Sequence, residues 1–330
     1  MKRMAKLIVP AILLGILLLG SGIILLIVGT TPQKREIRVI AVLKTIDLNM
    51  EFWEVVKSGM RTAAKELDLT LEIRGPWAES DVKGQIALMD SAIRDKPDAI
   101  VLASTDFNAL VPSVEAARKA RIVVVTLDSG VNSRLPASFV ATNNIEAGEK
   151  AGRRMLELIG TDTPVAVVNH IRGATTAMER EEGAIRAFAA AGARDRLLPT
   201  RYTDNFELRA YEITRELMRE RPDIEGILAM NEVSTVGVAR ALKDLGLAGK
   251  IRLVGFDNSR LEVKLIEQGV IDATVVQQPF NMGYLAVRAV QDALSGKMPE
   301  RFIDTGSILI TRETMYLPEN QKILFPFLDK

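Results

Sequence analysis

The chain has 330 residues, of which 48% are hydrophobic and 26% charged, and its formal net charge is +1. This length accommodates two domains of ordinary size, and so small a net charge argues against a general attraction to nucleic acid. With no cysteine and a single histidine, His170, the sequence excludes disulfides, thiolate chemistry, a lipid-modified N-terminal cysteine and a metal site built from several histidines.

The first predicted element is an apolar helix. A basic N-terminus precedes an uncharged run at residues 7–28, and about 20 apolar residues are enough to cross a bilayer as a helix. A cleaved signal peptide has a shorter apolar stretch and a small-x-small cleavage site, which residues 28–30 match poorly. Residues 1–30 are therefore predicted to be an uncleaved transmembrane anchor, with a cleaved signal segment as the alternative.

From residue 37 onward, β-rich runs alternate with runs of helical hydrophobic spacing. Strands are predicted at residues 37–43, 69–73, 99–103, 122–127 and 164–168. Helices are predicted at residues 51–67, 82–94, 111–121, 179–191, 209–219 and 282–294. Continuously apolar strands in this alternation are typical of a parallel sheet that is covered by helices on both faces. The order predicts a doubly wound α/β fold.

A weak internal repeat predicts two such units. A basic-Pro-Asp motif at residues 96–98 and again at 221–223 precedes a strand, a polar residue, a crossover helix and a second strand that ends in aspartate. The polar residues at these strand ends are Ser104, Asp128, Asn231 and Asp257. Two similar α/β lobes are the simplest interpretation.

The strand ends point to a ligand cleft. In open α/β sheets, ligands bind beyond the carboxyl ends of the strands, so we expect Ser104, Asp128, Asn231 and Asp257 to converge on one cleft between the lobes. Carboxylates accept hydrogen bonds from hydroxyls, and amides and guanidinium groups donate them, which suits a neutral polyol. An aspartate after a strand is also a common turn or cap residue. The paired placement therefore carries more weight than any one residue.

Several short segments, in this order and spacing, resemble the type I periplasmic binding proteins of the ribose-binding kind. They include Glu51-Phe52-Trp53, Thr126-Leu127-Asp128, Asn231-Glu232, Gly255-Phe256-Asp257 and Gln277-Gln278-Pro279. These proteins are solute receptors of ATP-binding-cassette (ABC) importers, and their fold is shared with the effector domains of lac-repressor-type regulators. The resemblance covers residues 37 to about 311.

The resemblance implies a set of ligand-binding residues. Aspartates at the strand ends would accept sugar hydroxyls, an arginine would donate to sugar oxygens, and aromatic rings would cover the sugar face. The residues that match these positions are Lys44, Phe52, Trp53, Asp128, Arg180, Phe206, Asn231, Asp257 and Gln277. Ser129 and Ala103 replace an arginine and an asparagine that are frequent in the family, so the ligand is not expected to be ribose specifically.

Plainer interpretations exist for some of these residues. Phe52 and Trp53 are also suited to the core side of the first helix. Arg180 lies among glutamates and could belong to a solvated charged face. His170 stands alone and is interpreted as a structural residue rather than a catalyst.

The resemblance also implies how the two lobes are built from the chain. Lobe 1 is predicted to comprise residues 37–142 and 278–304, and lobe 2 residues 143–277 and 305–330. Crossings are expected near residues 142–143, 277–278 and 304–306, so that the helix at 282–294 belongs to lobe 1. The two lobes would then rotate about these crossings and close around the ligand.

These features together predict an extracytoplasmic, membrane-anchored solute-binding protein that captures a monosaccharide or related polyol for the permease of an ABC importer. The alternative is a membrane-anchored sensor that presents a sugar or other small solute to a two-component receptor. The apolar N-terminus argues against a DNA-binding regulator. No phosphate loop, nucleophile elbow or histidine pair predicts an enzyme. We expect a monomer with no catalytic residue, cofactor, metal or nucleic-acid partner.

Overall fold

The computed structural model describes residues 36–325, so the predicted anchor at residues 1–30 lies outside the described part. Within residues 36–325, no helix has both the length and the apolar character needed to cross a membrane. The described residues from Ile37 onward belong to one compact unit, which contains two β-sheets flanked by helices.

The elements alternate along the chain as the hydrophobic pattern predicts. In the first half they are β1 (Ile37–Val42), α1 (Glu51–Glu66), β2 (Leu69–Arg74), α2 (Val82–Arg94), β3 (Ala99–Leu102), α3 (Val111–Lys119), β4 (Val123–Leu127), β5 (Ser138–Ala141) and α4 (Asn144–Ile159). In the second half they are β6 (Val165–Asn169), α5 (Thr175–Ala190), a 3₁₀ turn (Arg194–Arg196), β7 (Arg201–Tyr202), α6 (Glu207–Glu220), β8 (Gly226–Ala229), α7 (Glu232–Asp244), β9 (Arg252–Phe256), α8 (Arg260–Glu267), β10 (Ala273–Gln277), α9 (Pro279–Leu294), β11 (Phe302–Asp304), β12 (Ser307–Thr311) and α10 (Pro318–Leu324).

Each lobe is built on a six-stranded sheet. In lobe 1 the strand order is β11-β5-β4-β3-β1-β2, and all pairs are parallel. In lobe 2 the order is β12-β10-β9-β8-β6-β7. Only β12 is antiparallel to its neighbour. Since the other strands of a sheet run in one direction, their carboxyl ends lie on the same edge.

Both faces of each sheet are covered, which explains the continuously apolar strands. In lobe 1 one face packs against α1 and α9, through side chains such as Met60 and Val290. The opposite face packs against α2 and α3, through side chains such as Met89 and Val114. The two faces of the lobe 2 sheet have their own buried clusters.

The chain passes between the two sheets three times. It leaves the lobe 1 sheet after β5, returns to lobe 1 between β10 and α9, and crosses again between β11 and β12. The described end of the chain packs on lobe 2, where Met315 and Leu324 join the buried cluster. The sequence analysis expects crossings near residues 142–143, 277–278 and 304–306, and residues 326–330 of the expected lobe 2 lie outside the described part.

One helix pair fixes the position of a functional side chain. Helices α4 and α5 approach so closely that a β-carbon at Gly148 would lie 2.1 Å from the carbonyl oxygen of Arg180. A β-carbon at Gly183 would lie 2.0 Å from the carbonyl oxygen of Ile145. Only glycine allows this approach, and it brings Arg180 beside the first residue of α4.

Candidate functional site: a closed polar cavity between the lobes

The cavity lies where the carboxyl ends of the two parallel sheets meet. In lobe 1, Lys44 follows β1 and Asp128 follows β4; in lobe 2, Asn231 follows β8, Asp257 follows β9 and Gln277 ends β10. The residues that line the cavity are Lys44, Met50, Phe52, Trp53, Glu79, Asp128, His170, Thr176, Arg180, Asn231, Glu232, Asp257 and Gln277. The cavity is small, and part of it is continuous with solvent.

The two cavity aspartates share an unusual backbone conformation. Asp128 has φ 58° and Asp257 has φ 75°, both in the left-handed region. Aspartate tolerates this region better than most residues other than glycine. Such strain clusters at ligand sites, where surrounding structure must hold it. The sharp turn after β4 and after β9 allows each carboxylate to face the cavity.

In lobe 1 the aspartate is neutralised by a cation of the same lobe. Lys44 Nζ lies 2.7 Å from Asp128 Oδ2, and the two side chains are 3% and 5% exposed. Ser129 Oγ donates to the same oxygen at 3.2 Å. A buried charge needs such partners, because an isolated one is very costly.

In lobe 2 the aspartate is held by neutral donors. Gln277 Nε2 donates to Asp257 Oδ1 at 2.7 Å, and the backbone N–H of Glu232 donates to Asp257 Oδ2 at 3.1 Å. Burial raises the pKa of Asp257, and the charge of Arg180 and the bond from Gln277 oppose that rise. Burial, with the neighbouring Asp257, also raises the pKa of Glu232, to about 8.

Arg180 is held rigidly at the edge of the cavity. Its Nε donates to Asn144 Oδ1 at 2.9 Å and its Nη1 donates to the carbonyl oxygen of Met230 at 2.7 Å. The guanidinium carbon lies 4.5 Å from the ring centroid of Phe256, a cation–π geometry. Arg180 is 2% exposed, so the interpretation of a solvated charged face is wrong.

An aromatic wall closes the lobe 1 side. Phe52 and Trp53 form an edge-to-face pair with ring centroids 5.1 Å apart. Trp53 belongs to the lobe 1 core and also lines the cavity. Its Nε1 donates to the buried carboxyl of Glu79. Burial raises the pKa of Glu79, while the charge of Lys44 opposes the rise.

The structure brings together most of the residues predicted from the sequence. Lys44, Phe52, Trp53, Asp128, Arg180, Asn231, Asp257 and Gln277 all line the cavity. Asn231 also caps α7, accepting from the backbone N–H of Ser234 at 3.1 Å, and its Nδ2 donates to Asn205 Oδ1.

Two expected residues lie elsewhere. Phe206 is 54% exposed at the start of α6 and does not line the cavity. Ser104 is buried with its hydroxyl bonded to the carbonyl oxygen of Asp106, so its convergence on the cleft was wrongly expected.

Five cavity residues were not assigned to the site from the sequence: Met50, Glu79, His170, Thr176 and Glu232. For His170 a signal existed, because it lies two residues after the strand predicted at residues 164–168. For Glu79 the signal was absent, since its place depends on a bond to Trp53 across 26 residues of sequence.

The lobes are closed against each other by contacts beside the cavity. The backbone N–H of Phe107 in lobe 1 donates to the carbonyl oxygen of Gly173 in lobe 2 at 3.0 Å. The hydroxyl of Thr175 donates to the carbonyl oxygen of Gly130 at 3.1 Å. These bonds can form only when the lobes approach, so they belong to the closed state.

Two doubly wound lobes, three crossings and a shared polar cavity define a two-lobed binding protein with the type I periplasmic binding protein fold. Residues 40–298 match the family model described as periplasmic binding protein domain. The chain belongs to this family.

Similar proteins include both curated relatives and solved structures. The chain is 29% identical over 287 residues to the D-allose-binding periplasmic protein of Escherichia coli, covering 82% of this chain and 91% of that protein. It is 28% identical over 268 residues to the ribose import binding protein of Bacillus subtilis, covering 81% and 85%. An ABC transporter solute-binding protein from Agrobacterium vitis with bound D-fucose is 32% identical, with a TM-score of 0.83, covering 87% and 99%.

Proposed function

We propose that this protein is an extracytoplasmic solute-binding protein that captures a monosaccharide or related polyol and delivers it to an ABC importer. The observation that carries the proposal is that Asp128 from one lobe and Asp257 from the other both line the cavity between the lobes. A ligand that bonds both carboxylates binds the closed form more tightly than the open form, and this difference drives closure.

The cavity chemistry favours a neutral polyhydroxyl ligand. Four carboxyl residues and two cationic residues line it. An acidic ligand would add a further negative charge to a buried site that already has an excess of carboxyl groups, which is unfavourable. Hydroxyl groups can donate to the carboxylates and accept from Arg180. Phe52 and Trp53 also line the cavity, and their rings supply apolar surface beside a sugar ring.

The names of similar proteins support the same class. The relative from Escherichia coli is named for D-allose and the relative from Bacillus subtilis for ribose. A structure from Agrobacterium radiobacter, 28% identical with a TM-score of 0.83, contains D-arabinose. Since these sugars differ, they define a panel for testing.

A thermal-shift assay tests the proposal. The full-length chain in mild detergent is heated with D-allose, D-ribose, D-arabinose, D-fucose or D-tagatose, sugars that similar proteins are named for or contain. A ligand that binds only the folded state stabilises it by about 2.7 kcal/mol at 100 times its Kd, which corresponds to a rise in Tm of several degrees. The same sugar should leave the Tm of Asp128→Ala unchanged. If none of the five sugars raises the Tm of the wild-type protein, the sugar assignment is wrong.

The proposed function also includes a location for the protein, on the membrane. The uncharged run at residues 7–28 has the length of a membrane-spanning helix, and we propose that it anchors the protein with its binding unit outside the cytoplasm. The protein should therefore stay in the membrane fraction after an alkaline carbonate wash. Release of a shortened chain into the soluble fraction would instead indicate a cleaved signal.

A further inference from the structure

His170 completes a row of polar residues along the edge of the lobe 2 sheet. Strands β10, β9, β8 and β6 are neighbours in that order. At their carboxyl ends stand Gln277, Asp257, Asn231 and His170, and all four side chains line the cavity. The topology thus gives His170 the same relation to the cavity as the three residues that were expected to bind ligand.

The backbone of His170 is fixed. Its N–H donates to the side-chain oxygen of Asn169 at 2.9 Å. Its carbonyl oxygen accepts from the backbone N–H of Thr203 at 3.2 Å and of Asp204 at 2.9 Å. The residue is 3% exposed. A side chain held in this way offers a ring nitrogen at a defined place, as a specificity-determining contact requires.

One ring nitrogen has a protein partner and the other has none. Nε2 lies 3.0 Å from the hydroxyl oxygen of Thr176. Nδ1 is buried and has no hydrogen-bond partner among residues 36–325. Burial, reinforced by the charges of Lys44 and Arg180, lowers the pKa of His170 well below its usual value. The ring is therefore neutral, and Nδ1 can donate or accept one hydrogen bond, depending on the tautomer.

We propose that His170 is a further ligand contact, and that its Nδ1 forms a hydrogen bond with a hydroxyl group of the bound monosaccharide. This inference rests on the proposed sugar-binding function. A buried polar atom without a partner is costly, and the bound hydroxyl removes that cost. His170 would then reject sugars that lack this hydroxyl, because a site built around a hydroxyl discriminates strongly against the analogue without it.

A matched pair of variants distinguishes a ligand-binding role of His170 from a purely structural one, because the two roles predict opposite effects of the two substitutions. In His170→Asn the side-chain amide occupies roughly the place of Nδ1, so the sugar contact is kept and the bond to Thr176 is lost. In His170→Gln the amide reaches roughly the place of Nε2, so the bond to Thr176 is kept and the sugar contact is lost. The two substitutions therefore separate the two roles of the ring.

The test is calorimetric titration of the full-length protein with the tightest-binding sugar of the five-sugar panel. We expect His170→Gln to raise Kd by about tenfold or more, the effect of leaving a buried hydroxyl unpaired, and His170→Asn to stay within about threefold of wild type. Wild-type affinity in His170→Gln overturns the proposal, whatever His170→Asn does. If no sugar of the panel binds wild type, the proposed function fails and this inference fails with it.

The chain offers a second readout that needs no variant. Because His170 is the only histidine, the nitrogen-15 NMR signals of an untagged protein's imidazole belong to this residue alone. Addition of the sugar should shift the Nδ1 resonance more than the Nε2 resonance. If both variants bind weakly, this shift decides: an Nδ1 resonance that is unchanged at saturating sugar overturns the proposal, and a shifted one supports it.

Discussion

The two lobes hold an aspartate in the same backbone conformation, but they compensate the charge of its carboxylate differently. In each lobe an aspartate in the left-handed conformation follows a central strand, Asp128 after β4 and Asp257 after β9. In lobe 1 the carboxylate has Lys44 as a buried cation at 2.7 Å. In lobe 2 the carboxylate accepts from an amide and a backbone N–H, while the guanidinium group of Arg180 bonds to other oxygens.

The difference indicates that the two similar lobes have different roles in ligand binding. Lobe 1 offers an ionic pair that is complete without ligand. In lobe 2, burial raises the pKa of Asp257, Glu232 and Glu262, whereas in lobe 1 it raises that of Glu79 beside the ion pair. A ligand hydroxyl that donates to Asp257 stabilises its charged form. We therefore expect lobe 1 to depend on its ion pair for stability and lobe 2 to respond to ligand and pH.

The largest expected effect is the loss of sugar binding when either aspartate is removed. Asp128→Ala and Asp257→Ala should each weaken binding by about 3–5 kcal/mol, because each deletes hydrogen bonds from ligand hydroxyls to a charged acceptor. Calorimetry with the tightest-binding sugar of the panel measures this loss, and circular dichroism checks the fold. Wild-type affinity in either variant would show that only one lobe holds the ligand.

The next effect distinguishes the two lobes by stability. Lys44→Met leaves Asp128 as an unpaired buried charge, which should lower the free energy of unfolding by about 3 kcal/mol. Adding Asp128→Asn should restore most of this loss, since the uncompensated charge is then gone. In contrast, Asp257→Asn should change stability by less than about 1 kcal/mol. Urea denaturation compares the three variants with wild type, and equal losses in Lys44→Met and Asp257→Asn would contradict the distinction between lobes.

A pH effect follows from lobe 2. The folded-state pKa of Glu232 is about 8, above its ordinary value of 4.5, so the folded state binds more protons than the unfolded state between these values. Stability therefore falls as pH rises through this window. As the pH rises from 6.5 (the ordinary pKa of histidine) to 8 (the folded-state pKa of Glu232), the free energy of unfolding should fall by up to about 2 kcal/mol.

Glu232→Gln removes the titrating group and should flatten the decline in stability. Glu115→Gln, on the exposed face of α3, serves as the control and should keep the wild-type slope. Urea denaturation at several pH values measures the slopes. A slope in Glu232→Gln as steep as in wild type would assign the decline to other groups.

The smallest expected effect concerns closure. Thr175→Val removes the hydroxyl that bonds Gly130 across the lobes, at a cost of about 1 kcal/mol to the closed state. The affinity for the panel sugar should fall about threefold to tenfold. Thr175→Ser keeps the hydroxyl and should bind nearly as wild type does. Equal affinities of the Val and Ser variants would show that this bond does not contribute to closure.

Much of the fold could be predicted because the chain follows local rules. Alternating apolar strands and amphipathic helices placed α2 at its observed bounds, residues 82–94. Helix α5 was expected to begin at residue 179 but begins at Thr175. Its first turn contains Thr175 and Thr176, whose hydroxyls contact Gly130 and His170. The helical spacing of apolar residues in the sequence does not predict such long-range contacts.

The cavity residues that directly follow the central strands could be predicted from the sequence. Asp128 and Asp257 followed from the repeat, and Lys44 from the family resemblance. Phe206 was wrongly placed in the cavity, because it stands at the N-cap of α6 and is exposed there. Glu79 and Glu232 were missed as cavity residues because their positions depend on residues distant in sequence, Trp53 for Glu79 and Asp257 for Glu232.

The central claim, that one sugar is held between the two lobes, is tested most directly by the fluorescence of Trp53. The chain has two tryptophans, and Trp77→Phe removes the exposed one, leaving Trp53 in the cavity wall. We expect a saturable change in emission with the tightest-binding panel sugar, and its loss when Asp257→Ala is added from the opposite lobe. A sugar that binds by calorimetry but leaves Trp53 emission unchanged would contradict the account.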